Sequence, residues 1–200
     1  MASWDATIVA GTPTMTLESG KLRLTVDNEY SSITGLYQYL GGSGDFVMDI
    51  DLSGYLPNDN NNGLYQFFKI QADTADHSAS IRYNVSNGGA THTLRSRLRL
   101  SANNQNSSPT VPSRPSTIRI VRDGTVMRTY YYISSWVLID SRDFGGTASD
   151  LDKIYIQADD NSSNGGYAEF DNLIFGEGCP DGYPKAWTTT TSTTTTTTTV

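Results

Sequence analysis

The stretch TIRIVRDGTVMRTYYY, residues 117–132, decides the fold of this chain. The first half alternates polar and apolar residues as far as Ile120, and the second half is rich in the β-branched and aromatic residues that strands favour. The pair Asp123-Gly124 separates the halves, and this pair is favoured in two-residue hairpin turns whose central positions both need positive φ. The stretch therefore predicts a β-hairpin that turns at 123–124.

Short runs of the same kind lie on both sides of this hairpin, separated by turn residues at intervals of about ten residues. Residues 101–116, which are rich in Asn, Ser and Pro, are expected to form a loop. No segment shows the 3.6-residue apolar period of an amphipathic helix. We therefore predict an all-β chain, built as a sandwich of two antiparallel sheets. The further predicted strands are 21–26, 45–52, 64–70, 80–85, 93–100, 136–139, 154–158 and 167–175.

The composition agrees with β structure and narrows the classes of partner. The chain has 12 Tyr and 18 Gly, but only four of its 21 acidic residues are Glu, a residue that favours helices. The net charge of −7 argues against general nucleic-acid binding, in which Lys and Arg neutralise phosphates. No apolar run reaches the length of about 18 residues that a membrane span needs, and residues 1–5 lack the basic and apolar regions of a signal peptide. We expect no nucleic-acid partner and no insertion into a membrane.

The strand pattern ends near residue 176, and two segments of different composition follow. Residues 177–187 contain Gly and Pro in a pattern typical of a connector. Residues 188–200 are a Thr-rich tract with no apolar face to bury, so only a neighbouring subunit or attached sugars could order it. We expect a sandwich domain at 1–176, the connector at 177–187, and an extended, non-globular stalk or assembly segment at 188–200. The predicted O-glycosylation sites are Thr188, Thr189, Thr190, Thr191, Ser192, Thr193, Thr194, Thr195, Thr196, Thr197, Thr198 and Thr199.

Three stretches of the chain resemble the concanavalin A-like lectin and glucanase superfamily. They are the strand and turn at 117–124 with the Tyr-rich strand and Ser135-Trp136-Val137-Leu138 after it, YAEFDNLIF at 167–175, and GDFVMDID at 44–51. The resemblance implies a two-sheet jelly roll. It does not choose among lectins, glycosidases, adhesins and structural modules, because one fold hosts many functions.

The same resemblance implies that a glycosidase would carry a Glu-x-Asp-x-Glu or Glu-x-Asp-x-x-Glu motif on one strand. A retaining mechanism needs two carboxyl groups about 5–5.5 Å apart. Asp49 and Asp51 are the nearest match and share one face of a strand, about 7 Å apart, but both are Asp and no Glu follows them. We interpret them as a solvent-facing acidic pair, and we predict that the chain is not an enzyme.

One loop suggests a metal. Asp159, Asp160 and Asn161 begin a segment dense in oxygen donors, which are the ligands that Ca²⁺ prefers. Its spacing matches neither an EF-hand nor the metal loop of legume lectins, and the alternative interpretation is an ordinary hairpin turn. Calcium is the one cofactor that the sequence suggests.

Aromatic residues near the decisive hairpin are the first candidates for glycan binding. Sugars stack their C–H faces on exposed rings, and Tyr130 and Tyr132 share one face of their strand while Tyr131 takes the other. At least one of these faces must belong to the core. Trp136 follows closely and is interpreted either as a core residue or as part of the sugar platform.

An arginine ladder is the second candidate. Arg95, Arg97 and Arg99 alternate with other residues and so lie on one face of the strand 93–100. Three like charges repel one another unless acidic groups face them. We expect either a cross-strand ionic face, with Asp49 and Asp51 as candidate partners, or a site for an anionic glycan or a neighbouring subunit.

Together these features favour a non-catalytic structural or display subunit of a surface assembly, such as a virion decoration, a fibre or an extracellular filament, with a capacity to adhere to glycans. The alternatives are a stand-alone carbohydrate-binding module on a glycosylated stalk, and a glycosidase. The expected partners are other copies of the chain or a larger assembly, and glycans. The expected location is extracellular, at a cell surface or on a virion.

Overall fold

Two antiparallel β-sheets, stacked face to face, contain the regular structure that the sequence pattern predicts. A computed structural model of the chain describes residues 5–8, 14–26, 32–39, 44–57, 64–72, 76–86, 91–101, 103–151, 153–160 and 165–177. A short 3-10 turn at Gly145–Asp150 interrupts the strands. No helix of the described part is long and apolar enough to cross a membrane.

The described strands are short and follow one another closely along the chain. In chain order they are β1 (Asp5–Ile8), β2 (Thr14–Glu18), β3 (Lys21–Val26), β4 (Ser32–Tyr39), β5 (Phe46–Pro57), β6 (Leu64–Gln71), β7 (Ser78–Ser86), β8 (Thr91–Leu100), β9 (Asn103–Ser107), β10 (Thr110–Val111), β11 (Thr117–Asp123), β12 (Val126–Tyr132), β13 (Trp136–Asp143), β14 (Lys153–Asp160) and β15 (Gly166–Glu177).

Each sheet combines strands that are far apart in sequence. The first sheet has the order β1-β4-β14-β6-β7-β8-β10, and β9 pairs with β8 beside β10. The second sheet has the order β13-β12-β11-β5-β15-β3-β2. The predicted fold class, a two-sheet antiparallel jelly-roll sandwich, is confirmed for the described residues. The tail at 188–200 and most of the connector lie outside them, and β15 runs one residue past the expected boundary at 176.

The core lies between the sheets because alternate residues of nearly every strand are apolar. On β5, Met48 and Ile50 are 0% and 1% exposed, and on β8, Leu94 and Leu98 are both fully buried. At about 25 cal/mol per Å² of buried apolar surface, each such side chain contributes about 1.5–3 kcal/mol. The residues between them point to the two outer faces of the sandwich, where the functional candidates lie.

Buried polar groups tie the two sheets together. Gln66 of β6 donates hydrogen bonds from Nε2 to the backbone oxygens of Gly54 and Glu169, at 2.7 and 2.9 Å. Ser96 and Thr129 join their hydroxyl groups at 2.7 Å across the core. These bonds fix how the sheets are placed on one another, since an unmatched buried polar group would be destabilising.

Arg122 closes one end of the core. Its side chain is 1% exposed and donates to the backbone oxygens of Gly44, Ala148 and Leu151. The last two residues belong to the 3-10 turn and the residue after it. One guanidinium group therefore fixes the entry to β5 and the connection between β13 and β14.

Two expectations about local structure need correction. The segment 101–116 is not simply a loop, because it contains β9 and β10, which pair with β8 through backbone groups. Of the side chains in these two strands, only that of Val111 is buried. The hairpin of 117–132 forms as predicted, but its central residues are Gly124 and Thr125, since Asp123 pairs with Val126. Only Gly124 of these has positive φ, at 58°, as at the first central position of a type II′ turn.

Candidate functional site

The structure separates the two groups of sequence candidates onto opposite outer faces of the sandwich. Arg95, Arg97 and Arg99 lie on β8 of the first sheet and point outward, because Leu94, Ser96 and Leu98 between them are buried. Tyr130, Tyr132 and Trp136 lie on the outer face of the second sheet. Tyr131, on the inner face, packs against the core as the alternation predicts. The two groups therefore cannot form one site.

The outer face of the first sheet, here called the basic face, collects cations from four strands. Among its described side chains, six cations stand against two carboxylates. The carboxylates are Asp159, 3.9 Å from Arg82, and Asp76, 3.6 Å from Arg99. The cations are Lys153 of β14, Lys69 of β6, Arg82 of β7, and Arg95, Arg97 and Arg99 of β8.

Two tyrosines lie beside the lysines of this face. The rings of Tyr37 and Tyr155 have their centroids 5.7 Å apart. Lys69 places Nζ 4.1 Å from the centroid of Tyr155, and Lys153 places Nζ 4.2 Å from that of Tyr37. Gln71 donates to the Tyr155 hydroxyl at 3.1 Å. Each cation over a ring face is held by the quadrupole of the ring, so this end of the face is ordered before any ligand arrives.

Five side chains, one from each of five neighbouring strands, form a row that crosses the strands of the basic face at right angles. The strand registers place Tyr37 opposite Tyr155, and Tyr155 opposite Lys69. They continue through Ser80 to Arg97. The five positions span four strand spacings, about 19 Å. A straight polymer could lie along this row and meet the lysines that cover the two rings at one end and Arg97 at the other.

Burial and, after it, the neighbouring cations lower the pKa values of two groups on this face. Burial, together with Arg82 and Lys153, lowers the pKa of Lys69 to about 8, although Asp159 opposes the shift. Burial also lowers the pKa of Arg97, as do Arg82, Arg95 and Arg99. Arg82 lies directly opposite Arg95 in the register. A bound anion would relieve this repulsion.

The ionic partners expected for the arginine ladder are wrong. Asp49 and Asp51 lie on β5 of the second sheet, whereas the neighbours of β8 are β7, β9 and β10 of the first. In β7, Ser80 lies opposite Arg97 and Arg82 lies opposite Arg95. On the other side, the side-chain oxygen of Asn106 in β9 accepts a hydrogen bond from Arg97 at 3.3 Å. Arg95 and Arg97 therefore face neutral or like-charged residues on the adjoining strands, whereas Arg99 lies 3.6 Å from Asp76.

On the outer face of the second sheet, Asp49 and Arg119 support Trp136. Arg119 donates from Nε and Nη2 to the two oxygens of Asp49, both at 2.6 Å. Its guanidinium carbon lies 3.8 Å from the centroid of the Trp136 ring. Trp136 is 36% exposed, so the interpretation of it as a core residue is wrong. The indole is supported from below and open to solvent above.

The two aspartates considered for catalysis are both engaged. Asp49 is 6% exposed, and both of its carboxylate oxygens accept hydrogen bonds from Arg119. Asp51 accepts from Thr117 at 2.6 Å and from Asn172 at 2.9 Å. The interpretation of the pair as solvent-facing is therefore wrong for Asp49. Both of its carboxylate oxygens are engaged by Arg119 in a bidentate ion pair.

Of the three residues predicted to bind calcium, only Asp159 has a described side chain. Asp159 belongs to β14 and faces Arg82. The side chain of Asp160 and all of Asn161 lie outside the described residues, and calcium there stays a prediction. In the described part no group of three His, Cys, Asp or Glu side chains is placed to hold a metal ion. The alternative, a hairpin turn, is wrong, because β14 and β15 lie in different sheets.

The residues that sequence reasoning missed are Tyr37, Lys69, Gln71, Lys153 and Tyr155. Their signal was the alternation itself, because each stands at an outward position of its strand. What the sequence did not indicate is that β14 lies between β4 and β6, which brings the five side chains together. The O-glycosylation sites at 188–199 lie outside the described residues and stay a prediction.

Comparison with known proteins gives likeness at the level of fold. Neither protein families nor curated proteins give a match to this sequence. Among solved structures, a legume lectin-like domain from Entamoeba histolytica is similar with a TM-score of 0.61 and 9% identity, covering 88% of this chain and 90% of that one. The alginate lyase from Klebsiella pneumoniae has a TM-score of 0.58 and 11% identity, covering 82% and 84%. The CBM2 module of the evolved Dit of Lactobacillus casei BL23 phage J-1 has a TM-score of 0.57 and 9% identity, covering 81% and 80%. The chain has the concanavalin A-like jelly-roll fold that the sequence resemblance implies.

Proposed function

We propose that this chain is a non-catalytic glycan-binding domain that binds anionic polysaccharides on its basic face. The observation that carries the proposal is the row from Tyr37 and Tyr155 through Lys69 to Arg97. Lys69 and Lys153 lie over the ring faces and Tyr155 is 9% exposed, so the rings hold the cations in place. The cations suit carboxylate or sulfate groups that repeat along a polymer. Arginine in particular recognises carboxylates with two parallel hydrogen bonds.

The charge of the whole chain makes this face distinctive. A net charge of −7 works against anionic polymers in general, so binding depends on the local excess of cations. The same net charge makes nucleic acid a poorer ligand than an acidic polysaccharide, because duplex phosphates are more closely spaced. Single-stranded DNA is also an anionic polymer but carries no acidic sugar. If it fails to displace bound alginate, the face recognises the sugar and not charge alone.

A display role is the second part of the proposal. We propose that the domain presents its basic face on a surface assembly, such as a virion or an extracellular filament, with the Thr-rich tract as stalk or assembly segment. The CBM2 module of the phage J-1 evolved Dit shares the fold, which supports such a setting. The alternative is a stand-alone binding module on a glycosylated stalk. Electron microscopy of the full chain, with mass analysis of the tract at 188–199, separates the two, because ordered particles support assembly and a glycosylated monomer supports the alternative.

The binding proposal is tested with alginate hexasaccharides against neutral cellohexaose by calorimetry. Arg97→Ala and Lys153→Ala should each weaken alginate binding by about tenfold, equivalent to about 1.4 kcal/mol. Arg128→Ala is the matched control, because it removes an equal charge from the second sheet, where Arg128 pairs with Asp123. Raising the salt from about 0.1 to about 1 M should weaken binding further, since the screening length falls from about 10 to about 3 Å.

Three outcomes contradict the proposal. Binding of cellohexaose that is as tight as that of alginate and that Arg97→Ala weakens equally would remove the preference of the basic face for anions. Equal losses in Arg97→Ala and Arg128→Ala would show that net charge and not the basic face governs binding. Release of unsaturated or reducing ends from alginate during the titration would show that the domain is an enzyme.

A further inference from the structure

The face opposite the basic one carries a second row with different chemistry. The strand registers place Trp136 opposite Tyr132, and Tyr132 opposite Thr117. They continue from Thr117 to Asp51 and from Asp51 to Asp171. The row crosses five strands over about 19 Å. It begins with two aromatic rings and continues with a hydroxyl group and two carboxylates.

The aromatic end is rigid before any ligand binds. The guanidinium group of Arg119 lies under the Trp136 ring and is itself fixed by two hydrogen bonds to buried Asp49. Tyr132 meets the indole edge-on, with the centroids 5.3 Å apart. Since the ring is already oriented, a ligand that stacks on it loses little additional side-chain freedom.

The polar end is rich in acceptors. Asp51 accepts hydrogen bonds from the neutral side chains of Thr117 and Asn172, and its two oxygens can accept further hydrogen bonds. The Thr117 hydroxyl and the Asn172 amide oxygen can accept as well. Such a surface suits a ligand that brings many O–H donors.

Charge excludes the class of ligand assigned to the basic face. Arg119 is matched by Asp49, so it adds no net positive charge. Asp51 and Asp171 remain in the row, and they would repel carboxylate or sulfate groups. A hydrophobic protein partner would leave these carboxylates facing an apolar surface, which is unfavourable.

We propose that this row is a second glycan site, which binds a linear neutral polysaccharide with one sugar ring stacked on Trp136 and its hydroxyl groups donating to Thr117, Asp51 and Asn172. The site does not depend on the basic face, and it takes ligands of the opposite charge preference. A domain with both sites can hold an acidic and a neutral polymer on its two sides.

The test measures binding of cellohexaose, xylohexaose and mannohexaose by calorimetry and by tryptophan fluorescence. At least one should bind, and Trp136→Ala should weaken it by about tenfold or more, with Trp136→Phe in between. Asp51→Ala should weaken the same ligand, whereas Arg97→Ala on the basic face should leave it unchanged. Trp136→Ala should leave alginate binding unchanged, so a failure here is distinct from a failure of the proposed function.

Circular dichroism and urea unfolding establish that each variant is folded. The proposal is overturned if none of the three hexasaccharides binds, or if Trp136→Ala binds them as the parent chain does. It is also overturned if sedimentation shows a dimer that Trp136→Ala converts to a monomer, because the face would then be a contact between copies. Equal loss in Arg97→Ala would locate neutral sugars on the basic face and overturn it as well.

Discussion

Replacing Asp49 by Asn should destabilise the domain far more than replacing an exposed aspartate. Asp49→Asn keeps the shape of the side chain but leaves the Arg119 guanidinium with no matching charge. Asp49 is 6% exposed, and breaking a buried ion pair by removing one partner is destabilising by about 3–5 kcal/mol. The Arg119 side chain keeps 21% of its exposure, so water can solvate part of its charge. We therefore expect a loss just below that range, about 2–3 kcal/mol.

The assay is urea unfolding followed by circular dichroism. A loss of that size corresponds to a fall of about 4–12 °C in Tm for a domain of this length. Asp76→Asn is the matched control, because Asp76 is 61% exposed and stands 3.6 Å from Arg99, so its loss should stay within about 1 kcal/mol. Arg119→Met, alone and combined with Asp49→Asn, completes a double-mutant cycle with an expected coupling of about 1–3 kcal/mol.

The cycle also says whether the support under Trp136 is rigid. Asp49→Asn should change the Trp136 fluorescence before any global unfolding, since the guanidinium group beneath the ring is no longer fixed. A variant within about 0.5 kcal/mol of the parent chain, with unchanged fluorescence, would refute the reasoning. Additive losses in the cycle would refute it too, because the two side chains would then act independently.

Three further predictions concern the basic face and the core. Alginate binding should weaken as the pH rises through about 8, because Lys69 loses its proton there. Lys69→Arg should remove this dependence on pH, and a dependence that persists in the variant would contradict the assignment to Lys69. Gly35→Ala should destabilise the domain by about 1–3 kcal/mol in urea unfolding, because the added Cβ would overlap the backbone oxygen of Ile156, whereas Gly146→Ala meets open space and should be neutral. Arg122→Met should destabilise the domain by about 3 kcal/mol or more, because backbone oxygens at the end of the core lose their hydrogen-bond donor. An unchanged thermal unfolding temperature would show that water replaces the guanidinium group as the donor.

The fold was largely predictable because its signals are local. The strand-favouring residues on both sides of the glycine at 124 specify a hairpin without reference to the rest of the chain. The strands β9 and β10 were not predictable in this way, because their side chains are mostly exposed and their stability comes from backbone pairing with β8. The turn at 123–124 was displaced by one residue because the pairing of Asp123 with Val126 decided the register.

The sites were predictable only in part, and for a different reason. The ladder at 95–99 is visible in the sequence, since its arginines are two residues apart on one strand. The partnership of Asp49 with Arg119 requires β5 to lie beside β11, and these residues are 70 positions apart. The tyrosines and lysines of the basic face likewise meet only through the order of the strands. Spacing along the chain therefore identified single-strand features and missed those that depend on which strands are neighbours.

The opposite character of the two faces gives the domain an electric dipole across its thickness. A negatively charged polymer would exert a torque on this dipole and turn the basic face toward itself before contact. At about 0.01 M salt, fields extend about 30 Å, so the net charge of −7 also repels the polymer at a distance. At about 0.1 M the range is about 10 Å, and the approaching polymer experiences mainly the nearer face. Capture should accordingly be fastest at intermediate salt, with the domain arriving already oriented.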